Sequence, residues 1–258
     1  MSIRKGLHYD RKRDLVFGYE DDGNFRTTEL ADSALCFMAK GCVTKWKQTI
    51  GYILTNGAAN EKSIIKLLRE CIAALEKEGF IVLGVTTDLG QNFQAAFKSL
   101  GVSASYPYFL IENKTYLVYK DPPHLLRCSR NFVLNNEVNV PKFDNHKAKW
   151  SHLVNLLKLN EVNNLVLAPR ITNKHLFGLK FQNKMKVNLA AQVLSNSCSA
   201  ALDFFTAHRI MEPEVSANSS YCKNMNDLFD ILNSSYSKDR VPLRRSLCPL
   251  SPSWEKLK

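Results

Sequence analysis

The 258-residue sequence is 45% hydrophobic and 23% charged, a balance typical of globular proteins that excludes a wholly disordered chain. This length allows one large domain or two modest ones, with a sizeable core. No window approaches the roughly 18 apolar residues of a membrane span. The first eight residues also lack the apolar run of a signal peptide. We therefore expect neither membrane insertion nor secretion.

The chain is basic, with 35 Lys and Arg against 24 Asp and Glu, a net charge of +11. Such a balance favours a polyanionic partner such as nucleic acid, because Lys and Arg gain from neutralising phosphates. A merely basic protein without such a partner is the alternative. The seven cysteines are scattered and include no CxxC pair, which fits neither a zinc site nor a disulfide framework. Their pattern predicts a reducing compartment, the cytosol or the nucleus.

The first half of the chain alternates between predicted strands and helices. Strands are predicted at residues 14–19, 34–43, 47–54, 80–86 and 115–119, the last two as buried strands, and helices at 61–79, 92–100 and 124–134. Asn60 is the expected N-cap of the clearest helix, and Gly79 its expected end. This order predicts an α/β fold. It is also the order of a ribonuclease-H-like core if residues 1–4 form the stump of a first strand, although other α/β folds match it.

The second half changes to helical patterns. Apolar residues at helical intervals predict helices at 150–159, 185–205 and 225–232, and strand signals vanish. We therefore predict an α/β domain at 1–134, a mostly helical domain at 135–241 and a loose tail at 242–258.

Two aspartates follow predicted strands and are candidate metal ligands. Asp88 comes after the apolar run at 80–86, and Asp121 comes after the strand at 115–119. Open α/β sheets place ligands outside such strand ends, and paired carboxylates suit a shared metal ion. The alternative is that each aspartate only closes a turn or caps the following helix. His124, next to Asp121, is a further candidate with a structural alternative.

Nucleotide-binding motifs of the common kinds are absent from the sequence. There is no GxxxxGK[ST] and no GxGxxG, which disfavours P-loop NTPases and dehydrogenases. A basic stretch from Arg170 to Lys186, with Lys174 inside it, suits phosphate contacts or a solvated helix face. Asp230 and Asn233 share a helix face, and a carboxylate with an amide suits the edge of guanine. An unremarkable surface pair is the alternative.

Five segments in family order resemble the P-element-type transposases, which include the THAP-domain transposase-like proteins of animals. The segments are MSIRKGLHYDRKRDLVFGY, VTTDLG, KDPPHLLRCSRN, KFQNKMKVNLAAQVLSNSCSAALDF and MNDLFDILNSS. The resemblance implies a partial ribonuclease-H-like core followed by a helical GTP-binding insertion domain. It also implies cleavage and joining of DNA at transposon ends by Mg²⁺-bound carboxylates, with GTP as a structural cofactor, and a nuclear protein.

The resemblance also assigns roles to particular residues. It implies that Asp88 is a catalytic, Mg²⁺-binding acid and that Asp121 matches a further acidic position whose role is less defined. For the nucleotide it implies Lys174, Lys186, Val187, Asn188, Ser195, Asp230 and Asn233. The family's first catalytic acid precedes a segment like residues 1–3, and its last follows the insertion. We therefore expect this chain alone to be inactive.

Three hypotheses follow from these observations. The first is a DNA transposase fragment that binds transposon ends and is inactive alone. The expected protein partners of the chain are a second copy of itself or a full-length transposase, the latter as the target of a regulatory module. The second is a domesticated guanine-nucleotide- or DNA-binding regulatory module. The third is a small-molecule α/β enzyme that only shares the pattern. A preference for guanine nucleotides separates the first two from the third.

Overall fold

The computed structural model describes residues 1–42, 44, 46–141, 146–162, 166–234 and 237–256. The chain forms two compact units, Met1–Tyr119 and Lys120–Lys258. Among the described residues, no helix combines the length and the apolar character that crossing a bilayer requires. The division between the units falls before the helix that follows Asp121, whereas the sequence pattern put that helix in the first domain.

The first unit contains two sheets, a small hairpin and two helices. Its strands are β1 (His8–Asp10), β2 (Leu15–Phe17), β3 (Tyr19–Asp21), β4 (Arg26–Leu30), β5 (Ser33–Lys40), β6 (Lys47–Thr55), β7 (Gly84–Thr87), β8 (Tyr108–Ile111) and β9 (Lys114–Lys120). Its helices are α1 (Glu61–Lys77) and α2 (Gln91–Ser99). The larger sheet is antiparallel in the order β4-β3-β6-β5, and the smaller one has the order β7-β9-β8. Strands β1 and β2 pair separately.

The first residues of the chain lie along the start of β5. The Met1 amino group donates to Ala34 O at 2.9 Å, and Ile3 N donates to Asp32 O at 2.8 Å. Ser2 and Ser33 form an antiparallel bridge between these contacts. The predicted stump of a strand at residues 1–4 therefore pairs with the larger sheet.

Helix α1 forms where the sequence predicts it. Asn60 Oδ1 accepts from Ser63 N at 2.9 Å, which satisfies one of the free amides of the first turn. Ile64, Leu68 and Ile72 are buried on one face of the helix, as the apolar spacing indicates. Gly79, with φ of +84°, follows the helix in the left-handed conformation that glycine adopts without strain.

Two strand predictions were wrong in extent. The strand predicted at 80–86 is reduced to β7, and Ile81 remains 86% exposed instead of buried on both faces. Leu83 O accepts from Leu117 N, so pairing with β9 begins only there. The strand predicted at 14–19 breaks at Gly18, whose φ is +118°. Val43 at the end of another predicted strand, and residues 257–258 of the predicted tail, lie outside the described residues.

Strand β9 also differs from its predicted environment. Tyr116 and Val118 are buried, whereas Leu117 and Tyr119 are exposed, so one face of the strand is covered rather than both. Its partner β8 was not predicted. The covered face packs with α1 and α2 in a core that includes Phe97.

The second unit is mostly helical, which confirms the predicted change of character. Its helices are α3 (Pro122–Asn135), α4 (Trp150–Val162), α5 (Asn173–Leu176), α6 (Phe181–Met185), α7 (Val187–Val193), α8 (Asn196–Ala207) and α9 (Ser216–Leu232). A two-residue pair, β10 (Val138–Asn139) with β11 (Lys147–Ala148), accompanies them. Two short 3-10 turns, Pro242–Arg244 and Pro252–Lys256, occur in the tail.

The single helix predicted at 185–205 was wrong, because it is two helices, α7 and α8. Leu194 and Ser195 leave helical geometry, and Ser195 Oγ accepts from Cys198 N at 3.3 Å as the N-cap of α8. Both helices still bury their apolar faces in one core, to which Val193 and Leu202 belong. The helix predicted at 225–232 is the second half of α9.

Candidate functional site

A cavity of about 740 Å³ lies within the helical unit, a size in the usual range for small-molecule sites. Its walls come from the 168–171 loop, the first turn of α8, one face of α9 and the tail after α9. The charged residues of the wall are Arg170, Lys223, Asp227, Asp230, Arg244 and Lys256. Leu194 and Phe229 contribute apolar surface. The wall thus combines an apolar area, four cations and two carboxylates, which suits a flat ligand with negative charge.

The N-terminus of α8, with Ser195 as its N-cap, lies at the wall of this cavity. The Ser195 hydroxyl accepts from Cys198 N and donates to Cys198 Sγ, both at 3.3 Å. Asn196 and Ser197, the first residues of α8, also line the wall. The N-terminus of a 12-residue helix carries partial positive charge and favours anions.

Asp230 places a carboxylate in the same cavity from α9. Its side chain is only 11% exposed. Oδ2 accepts from Asn226 Nδ2 at 3.4 Å, and Oδ1 lies 3.0 Å from Arg244 Nε. Asn226 also accepts from Asn196 N at 3.3 Å, which links the carboxylate to the start of α8. The structure therefore brings together two of the sequence-predicted residues, Ser195 and Asp230.

The other predicted nucleotide residues do not line this cavity. Lys174 is exposed on α5, and Lys186 precedes α7, where Val187 and Asn188 form the first turn. Asn233 ends α9 as an exposed C-cap residue, although three-residue spacing from Asp230 predicted a shared face. Their roles toward a nucleotide remain predictions.

Arg130 on α3 binds the backbone near the end of α6, just before Lys186. The sequence argument did not identify this residue. Its side chain is fully buried, and Nη2 donates to Asn183 O at 3.2 Å and Lys184 O at 3.1 Å. Asn131 Nδ2 also donates to Lys184 O, at 3.2 Å. Burial lowers the pKa of the Arg130 guanidinium. A hint in the sequence was the Arg-x-x-Arg spacing of Arg127 and Arg130 on a helix.

Residues that line the cavity and escaped the sequence argument include two on α9 and two in the tail. Asn226 and Lys223 lie one turn and two turns before Asp230 on α9, so helical spacing alone offered a signal for them. Arg244 and Lys256 come from the tail, and no local pattern in the sequence marked them.

The two candidate metal ligands fall in different units. Asp88 lies between β7 and α2, is half-buried, and accepts from Gly90 N through Oδ1 at 2.9 Å. Asp121 caps α3: Oδ2 accepts from His124 N at 3.3 Å and lies 2.6 Å from His124 Nδ1. The structure thus shows each carboxylate in the turn or cap role that the sequence left open.

A magnesium centre was tested against the donor groups present. Across the described ranges, no three His, Cys, Asp or Glu side chains lie close enough to hold one ion. Mg²⁺ is often held by one or two carboxylates together with substrate phosphates, so Asp88 alone does not make a preformed site.

Comparison with known proteins resolves the fold of both units. A family model described as the TNP-like RNase H N-terminal domain matches residues 1–101. A second, the TNP-like GTP-binding insertion domain, matches residues 123–241. The chain belongs to the P-element-type transposase family. The predicted fold class, a ribonuclease-H-like part followed by a helical insertion domain, is confirmed.

Relatives of this transposase-like chain span nearly all of its length. It is 28% identical over 248 residues to the human DNA transposase THAP9, covering 91% of this chain and 27% of that protein. It is 24% identical over 240 residues to the Drosophila melanogaster transposable element P transposase, covering 92% of this chain and 29% of that protein. The chain therefore spans less than a third of the length of these relatives.

A solved structure supports the fold of the transposase-like chain. The Drosophila P element transposase strand transfer complex superposes with a TM-score of 0.76 at 23% identity. The match covers 93% of this chain and 51% of that chain. At this identity the likeness establishes the fold, and both predicted parts are included in it.

Proposed function

We propose that this chain is a P-element-like transposase segment whose helical unit binds a guanine nucleotide as a structural cofactor. The observation that carries the proposal is the cavity in which Ser195 and Asp230 meet. The match of residues 123–241 to a GTP-binding insertion domain supports the same assignment. In this proposal GTP organises a complex with DNA and is not an energy source.

The chemistry of the cavity fits the separate parts of such a nucleotide. The Asp230 carboxylate accepts hydrogen bonds only, which suits the N1–H and N2–H₂ donors of guanine and not the acceptor N1 of adenine. Arg170, Lys223 and the start of α8 offer positive charge to phosphates. Leu194 and Phe229 provide apolar surface for the flat base.

Calorimetric titration of the purified chain with GTP and with ATP tests whether the cavity prefers guanine through Asp230. We expect GTP to bind with clear preference, and Asp230→Ala to abolish that preference. Asp203→Ala is the matched control, because Asp203 is an exposed carboxylate of α8 that does not line the cavity. Equal affinity for GTP and ATP, or a normal preference in Asp230→Ala, would exclude Asp230 as the reader of the base.

For the first unit we propose a role in handling DNA at transposon ends, with Asp88 as a Mg²⁺-binding catalytic acid and Asp121 as a less defined acidic position. The family match, the net charge of +11 and the naming of the solved relative as a strand transfer complex support it. Since phosphoryl transfer by two metal ions needs more carboxylate ligands than Asp88 alone supplies, we expect the isolated 258-residue polypeptide not to cleave DNA. A Mg²⁺-dependent nicking assay checks this, and cleavage that disappears in Asp88→Ala would contradict the expected inactivity.

We further propose that this chain acts in the nucleus and associates with itself or with a full-length transposase. The proposed DNA partner supports nuclear action, and the solved relative, named as a strand transfer complex, supports action within an assembly. A fluorescent fusion reports its location in cells. Light scattering, alone and with a full-length relative, reports association.

A second candidate function is a regulatory module that binds a guanine nucleotide or DNA without cutting it. The absence of a three-ligand metal cluster within the described ranges favours this alternative. The two candidates differ when a full-length transposase is added. A module of this kind changes the partner's activity, and Asp88→Ala leaves that change intact. A catalytic segment requires Asp88.

A further inference from the structure

The tail after α9 forms part of the wall of the nucleotide cavity. Of residues 237–256, Val241, Leu243, Arg244 and Lys256 line the cavity directly. The 3-10 turns Pro242–Arg244 and Pro252–Lys256 give this segment defined structure. Movement of this segment would therefore change the wall of the cavity.

An ion pair fixes the tail to the carboxylate assigned to the base. Arg244 Nε lies 3.0 Å from Asp230 Oδ1, and the Arg244 side chain is 52% exposed while that of Asp230 is 11% exposed. Asn226 holds Oδ2, so Arg244 occupies the remaining oxygen. The exposed member of the pair exchanges with water at small cost, whereas the buried carboxylate requires a donor.

The guanidinium of arginine and the edge of guanine present the same donors. Guanine carries N1–H and N2–H₂ on the two nitrogens of an N–C–N unit, and a guanidinium carries N–H groups on such a unit. Both therefore satisfy a carboxylate through parallel hydrogen bonds. A carboxylate oxygen accepts about two hydrogen bonds, so Arg244 takes part of the acceptor capacity at Oδ1 that the two-donor edge of guanine would use.

A second ion pair holds the end of the tail on the same helix face. Lys256 Nζ lies 2.6 Å from Asp227 Oδ2, and the Asp227 side chain is 14% exposed. Asp227 precedes Asp230 by three residues, which puts both carboxylates on one face of α9. The two pairs together fasten both ends of the segment from Arg244 to Lys256 to one face of α9.

We propose that Arg244 is an internal competitor of the guanine base, and that the tail is a self-inhibitory strap that nucleotide binding displaces. This inference rests on the proposed guanine site at Asp230. It makes Arg244 a residue that weakens nucleotide binding, although it is a cation in a cavity suited to a polyanion. That consequence separates it from a phosphate-binding role, which would make Arg244 strengthen binding.

Calorimetric titration of the full chain with GTP tests the competition. We expect Arg244→Ala to bind GTP about two- to fivefold more tightly than the wild type, the range expected for releasing one partly exposed ion pair. Arg245→Ala is the matched control, because Arg245 donates from Nε to Asp239 O and does not line the cavity. It removes the same charge and should leave the affinity unchanged. Far-UV circular dichroism checks that both variants are folded.

Equal or weaker GTP binding by Arg244→Ala would overturn the competition. A gain of the same size in Arg245→Ala would also overturn it, since net charge would then be the cause. If the proposed guanine site at Asp230 is itself wrong, the titrations give a different set of results. In that case neither the wild type nor Arg244→Ala distinguishes GTP from ATP, and Asp230→Ala changes nothing.

Limited proteolysis provides a second readout for displacement of the strap. If GTP releases the tail, trypsin should cleave after Arg244 or Arg245 faster with GTP than with ATP. In the Arg245→Ala variant, Arg244 is the one cleavage site of these two that remains, so the rates with GTP and ATP are compared at a single bond. Protection by GTP would mean that the tail closes over the nucleotide, and would overturn the proposed displacement.

Discussion

Asn218 Oδ1 lies 2.7 Å from His152 Nδ1, and both side chains are buried in the helical unit. The same oxygen accepts from Lys149 N at 2.8 Å, and Asn218 Nδ2 donates to Lys149 O at 2.9 Å. One amide thus joins the start of α4 to α9. Glu214 completes the group, with Oε1 3.2 Å from His152 Nε2, and the nearby Lys149 ammonium lowers the pKa of the Glu214 carboxyl.

Asn218→Ala should lower the free energy of unfolding by about 2–3 kcal/mol, because it leaves buried groups of Lys149 and His152 without partners. Urea unfolding followed by circular dichroism measures the change. Asn136→Ala is the control, since its exposed amide donates only to Phe132 O. Equal losses in the two variants would mean that the buried network adds nothing to stability.

Ser195→Ala should lower stability by about 1 kcal/mol, the usual effect of removing an N-cap hydroxyl. It should also weaken GTP binding, because the first turn of α8 lines the cavity. Ser197→Ala removes a hydroxyl from the same wall without removing the cap. Thermal unfolding and GTP titration of the two variants check the prediction. A stable Ser195→Ala protein would show that α8 does not depend on its cap.

Arg130→Lys should be destabilising by about 2–3 kcal/mol even though charge is kept. A single ammonium cannot replace both Nη2, which donates to two carbonyls, and Nε, which donates to Asn131 Oδ1. The loss should exceed that of Arg127→Lys, whose guanidinium donates from Nη1 to Met185 Sδ. Chemical unfolding of both variants gives the comparison. Similar small losses would indicate that the α6–α7 junction does not need the Arg130 guanidinium.

The first unit should lose stability between pH 10 and pH 12 through Tyr116. Burial, followed by the hydrogen bond to Glu76 at 2.8 Å, raises the pKa of Tyr116 to about 12. An unfolded tyrosine titrates near pH 10. The folded chain therefore holds the phenol proton more strongly, so this stabilisation is complete below pH 10 and disappears as pH rises through 12.

Urea unfolding of wild type and Tyr116→Phe at pH 8 and pH 11 measures this dependence. The wild type should lose more stability over that interval than the phenylalanine variant. Tyr119→Phe serves as the control, because Tyr119 lies three residues later on β9 and is exposed. Parallel losses in wild type and Tyr116→Phe would assign the alkaline effect to other groups.

Local signals in the sequence predicted the elements that depend on near neighbours. Asn60 caps α1, the apolar residues lie within it and Gly79 follows it. These signals are close together in the sequence, so the helix was predicted nearly to its ends. The strand predicted at 80–86 was wrong in extent because its pairing does not depend on near neighbours. Its apolar residues have strand propensity, but pairing depends on β9, about 30 residues later, and begins only at Leu83.

The candidate site likewise contains residues that the sequence marked and residues that only contacts between distant segments revealed. Ser195 was found from the resemblance, and Asp230 was found first from its chemistry on a helix face; the structure brings both to one cavity. Arg244 was not found, because its contact with Asp230 joins a tail to a helix and leaves no periodic trace in the sequence. Lys186 and Asn188 were found by the same resemblance, yet they do not line the cavity.

By itself, the sequence determined the helical and strand propensities, the basic charge and the family to which this chain belongs, because these are properties of residue types and their spacing. Only the tertiary structure decided which side chains share a cavity, which carboxylates are already paired and which apolar runs stay exposed. Those features depend on contacts between segments distant in the chain, and such contacts follow from packing rather than from local preference.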